Sequence, residues 1–504
     1  MRAFVNDTLR RIIGLSLVML GILLEVRQRV QMLYYRRAQR RLQSRYGISD
    51  TTPVLPYELQ HHVDAGGQYA STSGSTAEPK RVPYPPERVR RAKWLFIDAF
   101  ARGFVRSPWQ RQSFYLFSSM HQDDSLTSLM LAEGGSPSYL ATLQAPYRLQ
   151  NDAALQALAQ QYGDAAVRLW VIAVANPGIL YSTNPSTLWA FLDTMHREWI
   201  ATTALIRDVA WHPIARRIVS RGAAARLRRI AESDVPLPFH EIAPAVHMYV
   251  CWTGGYVEPF LRRLAEYLPA ARYRLLPMYS TSTETTETTP CYRGNHVAFV
   301  PMAPGVLYEF VGNDGADLLR PHELKVGASY TMIVSDAYGL RRYDTADVFS
   351  CVGYVGGLPD LRFERRHSLS YSFTGEKLTG QQLLMAFGRL REELPELRGF
   401  LTCVPSSTGL PHYLLVSGVD GPMERAAARC DAMLAEFNAE YRAKRDSGRL
   451  GPMRGVTVSW AELVARVGGG NRVSWEAQFK FLPLYTRTWE SGGTDPSDGF
   501  ARSG

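Results

Sequence analysis

"STSGSTAEPK" (71–80) is a run of small hydroxyl residues with one glycine, closing on a proline and a lysine. Two readings compete for it. A flexible linker has this composition. So has a phosphate-binding loop, where glycine lets backbone N–H groups approach an anion while hydroxyls and lysine donate to its oxygens. On that reading Ser73, Ser75 and Thr76 supply hydroxyls, Gly74 supplies backbone access and Lys80 supplies charge. Such donors around a phosphate group would stabilise the negative charge that develops on it as it departs. Ten residues do not separate a linker from a cradle, so the choice falls to their surroundings.

The chain has 504 residues, and single cores stop growing near about 250–300, so two or more domains are expected. With 46% hydrophobic and 21% charged residues, the composition is globular rather than disordered or fibrous. Five scattered cysteines, without a Cys-x-x-Cys pair, signal neither a zinc site nor a disulfide framework and suit a reducing, cytoplasmic compartment. The formal charge is +10, but residues 1–45 hold ten arginines against Asp7 and Glu25, a net +8 that leaves +2 for everything else. The body therefore lacks the charge for a basic groove, and no nucleic-acid partner is expected.

That basic arm encloses "IIGLSLVMLGILL" (12–24), thirteen uncharged residues where a membrane-spanning helix needs about 20. The run has the length of a signal-peptide core, yet "EVRQRVQ" follows it instead of a small-residue cleavage site. The expectation is a helix whose apolar part packs on the body and whose arginines stay solvated. The alternative is a peripheral membrane contact through residues 10–45, attracted to anionic lipid.

"GISDTTPVLP" (47–56) is a turn-rich break between arm and body. From Tyr69 onward, short β-rich runs alternate with longer helical ones, which is an α/β pattern. Helices are expected over 186–210 and 258–268, and strands over 247–253, 330–336 and 347–355. Beyond "RRH" (365–367) a helix (380–395), two strand-like runs, a long helix from Met423 to about Lys444 and a third strand (455–460) make up a separate small α/β domain. The divisions are an arm (1–46), a large domain (47–365), a connector (366–379), a small domain (380–490) and a Gly/Ser/Asp-rich disordered tail (491–504).

Five more clusters carry polar chemistry. "CWTGG" (251–255) ends a strand on Gly254 and Gly255, as expected where backbone must lie close to a flat base. "LLPMYSTSTETTE" (275–287) sets an aromatic residue, hydroxyls and glutamates after a strand. In "YDTADVF" (343–349), Asp347 is suited to accept from the two vicinal hydroxyls of a ribose. "ERRHSLSYSFTGEKLTGQQL" (364–383) and "QFKFLPLYTR" (478–487) each present a lysine, Lys377 and Lys480. Taken singly, each has a plainer reading as a solvated loop or connector.

In their order along the chain, these clusters resemble the adenylate-forming superfamily, whose phosphate loop is a Thr/Ser-Ser-Gly-Thr/Ser-Thr/Ser-Gly core followed by Pro-Lys. That resemblance reads 71–80 as a cradle. It implies that Tyr279 lies against adenine, that Thr283, with Thr281 nearby, contacts the α-phosphate region, and that Glu284 helps hold Mg²⁺, a hard cation that prefers oxygen. It makes 366–379 a hinge in which Lys377 reaches the nucleotide phosphate and Arg366 ribose or phosphate. Lys480 becomes the catalytic lysine that stabilises charge between carboxylate and α-phosphate. Ala77 and Ala346 stand where glycines are usual, and His367-Ser368 lies in a variable hinge.

The early position of the loop is similar to one branch, the auxin-inducible acyl-acid amido synthetases, a family of plant indoleacetate- and jasmonate-conjugating enzymes with bacterial relatives. "NPSTL" (184–188), "LYEFV" (307–311), "RRYDTADV" and "QFKFLP" extend the likeness over about 25–485. The resemblance implies a large N-terminal adenylate-forming domain of mixed β-sheets and packed helices, with a small mobile α/β C-terminal domain. It implies a monomeric AMP-forming ligase that uses ATP and Mg²⁺ to activate a carboxylic acid as its adenylate and passes the acyl group to an amine, usually an amino acid. The alternatives are an acyl-CoA ligase, which shares the first half reaction, and a non-catalytic acyl- or nucleotide-binding homologue. Trp170, Trp189 and Tyr249 are candidates for an acid pocket and equally for core.

Overall fold

The apolar run 12–24 lies inside one long helix, α1 (Arg2–Leu33), followed by α2 (Tyr35–Arg45). The structure, a computed structural model, describes residues 2–60, 68–71, 80–106, 113–117, 126, 129–130, 153–209, 211–278, 282–294, 296–312, 318–366, 370–374, 376–397, 399–418, 421–468, 481–486 and 488–489. Described residues up to Arg365 form one compact unit, and those from Arg366 form a second. The arm belongs to the first unit. Leu17, Val18 and Leu24 pack with Phe100, Ala101 and Phe104 of α3 (Pro86–Phe104). Gly21 makes that approach possible, since a Cβ there would lie 2.1 Å from the Ala101 carbonyl oxygen. Arg11, Arg27 and Arg29 are solvated as expected, but Arg10 is buried. Its guanidinium donates to the carbonyls of Ala175 and Ile218, each the last residue of a helix, where the helix dipole favours a cation.

The first unit holds two principal sheets. β3 (Phe114–Leu116), β4 (Ile179–Tyr181), β5 (Met248–Cys251) and β6 (Arg274–Pro277) are parallel neighbours in that order. Every residue of β3, β4 and β5 is buried, as parallel strands covered by helices require. β9 (Val306–Gly312), β10 (Leu318–Leu319), β11 (Ser329–Asp336), β12 (Tyr343–Val355) and β13 (Leu358–Arg366) form the second sheet, in the order β10-β9-β11-β12-β13. Gly356 and Gly357, both at positive φ (58° and 78°), close the β12–β13 hairpin as a tight turn demands. Two antiparallel pairs complete the unit: β1 (Tyr69–Ser71) with β2 (Arg81–Pro83), and β7 (Thr289–Arg293) with β8 (His296–Val300). Gln39 of α2 donates to the Val306 carbonyl and accepts from the Tyr308 amide, tying the arm to β9.

The expected helix over 186–210 is two helices, Pro185–Arg197 and Trp199–Asp208, parted at Glu198 (φ −116°, ψ 41°). The break lets each piece bury its own apolar face, Leu188, Trp189 and Leu192 in one and Trp199, Leu205 and Ile206 in the other. "NPSTL" is the start of the first piece: the Asn184 side chain caps the Ser186 amide, and Pro185 occupies the first helical position.

In the second unit β14 (Ser370–Tyr371) pairs with β15 (Leu378–Thr379), and β16 (Leu401–Ser406), β17 (His412–Ser417) and β18 (Arg454–Thr457) form a sheet, antiparallel then parallel. The expected long helix from Met423 breaks at Asn438 into Met423–Phe437 and Ala439–Asp446, because the Asn438 carboxamide caps the Tyr441 amide. Residues 481–486 return along β16: Cys403 N–H donates to Pro483 O (2.9 Å), and Tyr485 N–H to Cys403 O (2.9 Å). All five cysteines are free and buried.

Candidate active site

Lys80 enters β2 with its ammonium 5.0 Å from the centre of the Tyr57 ring and 5.7 Å from that of Tyr343. The same ammonium is 3.7 Å from Glu284 Oε1, and the Tyr343 hydroxyl lies 3.4 Å from that oxygen. Glu284 is buried and Lys80 partly so. Two aromatic faces and a carboxylate thus surround one cation, an arrangement worth more than an exposed pair because water is largely kept away.

The segment bearing Glu284 is held from several sides. Ser282 accepts from the Thr285 amide (3.2 Å) and closes a local turn. Tyr84 donates to the Thr283 carbonyl (2.9 Å), Tyr308 to the Thr286 carbonyl (2.8 Å), and Arg88 to the Glu284 carbonyl. Burial pushes the Tyr84 phenol up to about 12, so it remains a donor at neutral pH. Arg88 also stands 3.9 Å from Asp336 at the end of β11, whose carboxyl burial raises against the pull of that guanidinium.

Asp347 sits on β12, on the same strand as Tyr343. Thr331 and Ile333 of β11 face Val348 and Asp344, so two residues oppose a four-residue step and β12 bulges there. Ala346 takes a left-handed conformation (φ 58°) to make the bulge, with its amide donating to Asp344 Oδ1 (2.7 Å). Bulges re-aim side chains. The Thr345 hydroxyl accepts from the Asp347 amide (3.1 Å), fixing the backbone beside the carboxylate.

Gly254 and Gly255 follow β5 and lie against Phe363 of β13. A Cβ on Gly254 would come 3.2 Å from Phe363 Cβ, and one on Gly255, at φ 66°, 2.8 Å from the Phe363 ring. The close approach these glycines permit is to Phe363, which meets Trp252 and Phe349 edge to face. Arg366, half-buried, ends β13. Trp170, Trp189 and Tyr249 are all buried. The structure therefore brings Lys80, Thr283 and Glu284 together within the first unit and puts Asp347 on the strand that supplies Tyr343. Ser73, Gly74, Ser75, Thr76, Tyr279, Thr281 and Lys480 lie outside the described residues.

Lys377 belongs to the second unit, exposed and at φ 46°. Glu376 before it is fully buried and accepts from the amides of Phe373 (2.7 Å) and Thr374 (2.8 Å) and from the Tyr413 hydroxyl (2.5 Å). Burial opposes ionisation, but these donors hold the carboxyl below its usual range. The loop presenting Lys377 is thus wound around an anion. Sequence reasoning passed over Glu376, since one glutamate in a charged connector carries no pattern. It also missed Arg342, buried at φ 42°, which grips Glu309 through two bonds (2.8 and 2.9 Å) and donates to the carbonyls of Ser49 and Thr52.

Residues 299–366, from β8 to the end of β13, match the family model described as the GH3 family central domain. Over that stretch the chain is similar to the GH3 family. It is 24% identical over 219 residues to the 4-substituted benzoates-glutamate ligase of Arabidopsis thaliana, an alignment covering 38% of each chain. It is 27% identical over 191 residues to a jasmonoyl-L-amino acid synthetase of Nicotiana attenuata, covering 35% of this chain and 32% of that one. Against these two relatives the chain spans 38% and 32% of their length. A solved GH3.15 acyl acid amido synthetase superposes with a TM-score of 0.65 at 15% identity, covering 88% of this chain and 86% of that one. The chain therefore shares the fold of that structure.

Proposed function

We propose that this chain is a cytoplasmic, monomeric acid–amino acid ligase that forms AMP. The observation that carries the proposal is the meeting of Lys80, at the end of the hydroxyl-rich stretch of sequence, with the buried carboxylate of Glu284 between two tyrosine faces. A cation that binds phosphate and a carboxylate that binds metal belong side by side where a nucleotide's phosphates are handled.

In the first half reaction, a carboxylate oxygen of the acid attacks the α-phosphorus of ATP, the bond to the bridging oxygen breaks, and pyrophosphate leaves. In the second, the amine attacks the acyl carbon, the bond to the AMP oxygen breaks, and the extra proton passes to solvent. Ser73, Gly74, Ser75, Thr76 and Lys80 donate to the departing phosphates. Gly254 and Gly255 pass beside the base with Tyr279, while Thr281 and Thr283 contact the α-phosphate. Asp347 accepts from the ribose hydroxyls and Arg366 adds positive charge there. Lys377 and Lys480 stabilise charge on the reacting phosphate and carboxylate.

Glu284 is the residue suited to Mg²⁺. Among the described residues no group of three or more His, Cys, Asp or Glu is arranged to hold a metal. One carboxylate plus substrate phosphates is a usual donor set for Mg²⁺. The ion, when bound, neutralises phosphate charge.

ATP–pyrophosphate exchange over a panel of aromatic, fatty and hydroxy acids tests the first half reaction, and product analysis with amino acids or coenzyme A tests the second. Exchange followed by an amide is the expected result. A thioester would make the protein an acyl-CoA ligase, and ATP binding without exchange would make it a non-catalytic homologue.

A further inference from the structure

One face of α1 is covered by the body and the opposite face is not. Arg10, Leu17, Gly21, Leu24, Gln28 and Met32 are buried. Phe4, Ile12, Met19, Leu23, Val26 and Leu33 are each more than half exposed. At 3.6 residues per turn these two sets fall on opposite sides of the helix. The exposed set forms a continuous apolar stripe about 44 Å long, from Phe4 to Leu33, at 1.5 Å per residue. Exposed apolar surface of this extent marks an interaction site.

The charge around the stripe says what covers it. Both acidic residues of the arm are turned inward, Asp7 to Arg10 (3.6 Å) and Glu25 to Arg106. The exposed ionic side chains along α1 are arginines, with Arg11 and Arg29 on one edge of the stripe and Arg27 on the other, and α2 continues them with Arg36, Arg37, Arg40 and Arg41. Beside Arg27 a groove between α1 and α3 is lined by Gln31, Arg91, Trp94, Leu95 and Asp98, with Asp98 engaged by Arg102. Trp94 is 44% exposed and shares that groove with Arg27, an aromatic residue of the kind enriched at lipid–water boundaries. A second copy laid on this face would set arginine against arginine, whereas a phosphate surface neutralises them. No described helix is long and apolar enough to cross a membrane.

We infer that α1 docks the protein flat on an anionic phospholipid bilayer, its apolar stripe entering the acyl boundary and its flanking arginines meeting lipid phosphate. The binding is peripheral, combining buried apolar area with charge attraction.

The test is flotation of the full chain with phosphatidylcholine vesicles, with and without phosphatidylglycerol, at low and high salt. The protein floats with the anionic vesicles, and salt weakens the association. Arg29→Gln lowers partitioning about fivefold, and Arg11→Gln/Arg29→Gln compounds it. Ile12→Ser/Met19→Ser/Leu23→Ser/Val26→Ser, all outward-facing, lowers it at least about a hundredfold, with far-UV circular dichroism and Tm unchanged. Failure of the wild type to float would overturn the inference. So would a vesicle-independent dimer that the serine variant dissociates, since the stripe would then be a seam between copies.

Discussion

Lys80 Nζ and Glu284 Oε1 stand 3.7 Å apart although most of the first unit's chain lies between them. Their pairing joins the start of β2 to the segment that follows β6. Glu284→Gln keeps the shape and removes the charge. We expect pyrophosphate exchange to fall about a hundredfold or more, with a raised Mg²⁺ requirement, while Lys80→Met loses rate without changing that requirement. Exchange rates titrated with Mg²⁺ separate the two. Equal Mg²⁺ dependence in both variants would remove Glu284 from the metal.

Ala346 adopts φ 58° in the β12 bulge beside Asp347. A left-handed alanine costs about 1–2 kcal/mol that glycine does not bear, and glycine's extra chain entropy takes back about 0.5–1 kcal/mol. Ala346→Gly is therefore expected to stabilise the first unit by about 0.5–1 kcal/mol in urea unfolding. A loss of stability would mean that the methyl group's packing outweighs the backbone strain.

Glu376 has its carboxyl held below the ordinary value by Tyr413 and two loop amides, against the cost of burial. A depressed folded pKa contributes stability in full above the unfolded value, about 4.3, and that stability is lost as pH falls through the folded value. Glu376→Gln should cost about 1–3 kcal/mol at neutral pH and flatten the acid side of the stability profile. Urea midpoints measured from neutral to acid pH in both proteins decide it. Parallel profiles would show that Glu376 does not carry the acid sensitivity.

Arg342 and Glu309 form a buried pair whose remaining guanidinium donors reach Ser49 and Thr52. Arg342→Met leaves a buried carboxylate without its partner, at an expected cost of about 3–5 kcal/mol. Arg342→Met/Glu309→Leu should recover most of it, and Arg342→Lys should not, since an ammonium lacks the two-pronged fit. A double-mutant cycle in urea gives the coupling. Additive losses would show that the carbonyl contacts, not the ion pair, dominate.

Local chemistry is legible in the residues themselves. Strands with β-branched and aromatic runs, such as Ser329–Asp336, appear where their pattern sets them. Helix ends are harder to read. Asn184 and Asn438 are both capping residues, but only the packing of the neighbouring faces shows that the apolar period stops and restarts at Glu198 and Asn438.

The type of most elements and the place of the charge along the chain follow from residues close together in sequence. Tertiary structure decided what those residues meet. Arg10 is buried because two helix ends come together around it. Gly254 and Gly255 are needed where β13 brings Phe363 against them. Lys80 finds Glu284 only when the sheets are assembled. An apolar run likewise announces burial but not on which side, and only the packing of α1 on α3 shows that the helix is covered on one face and bare on the other. Such pairings depend on distances through space between distant parts of the chain, and those distances are fixed by the fold.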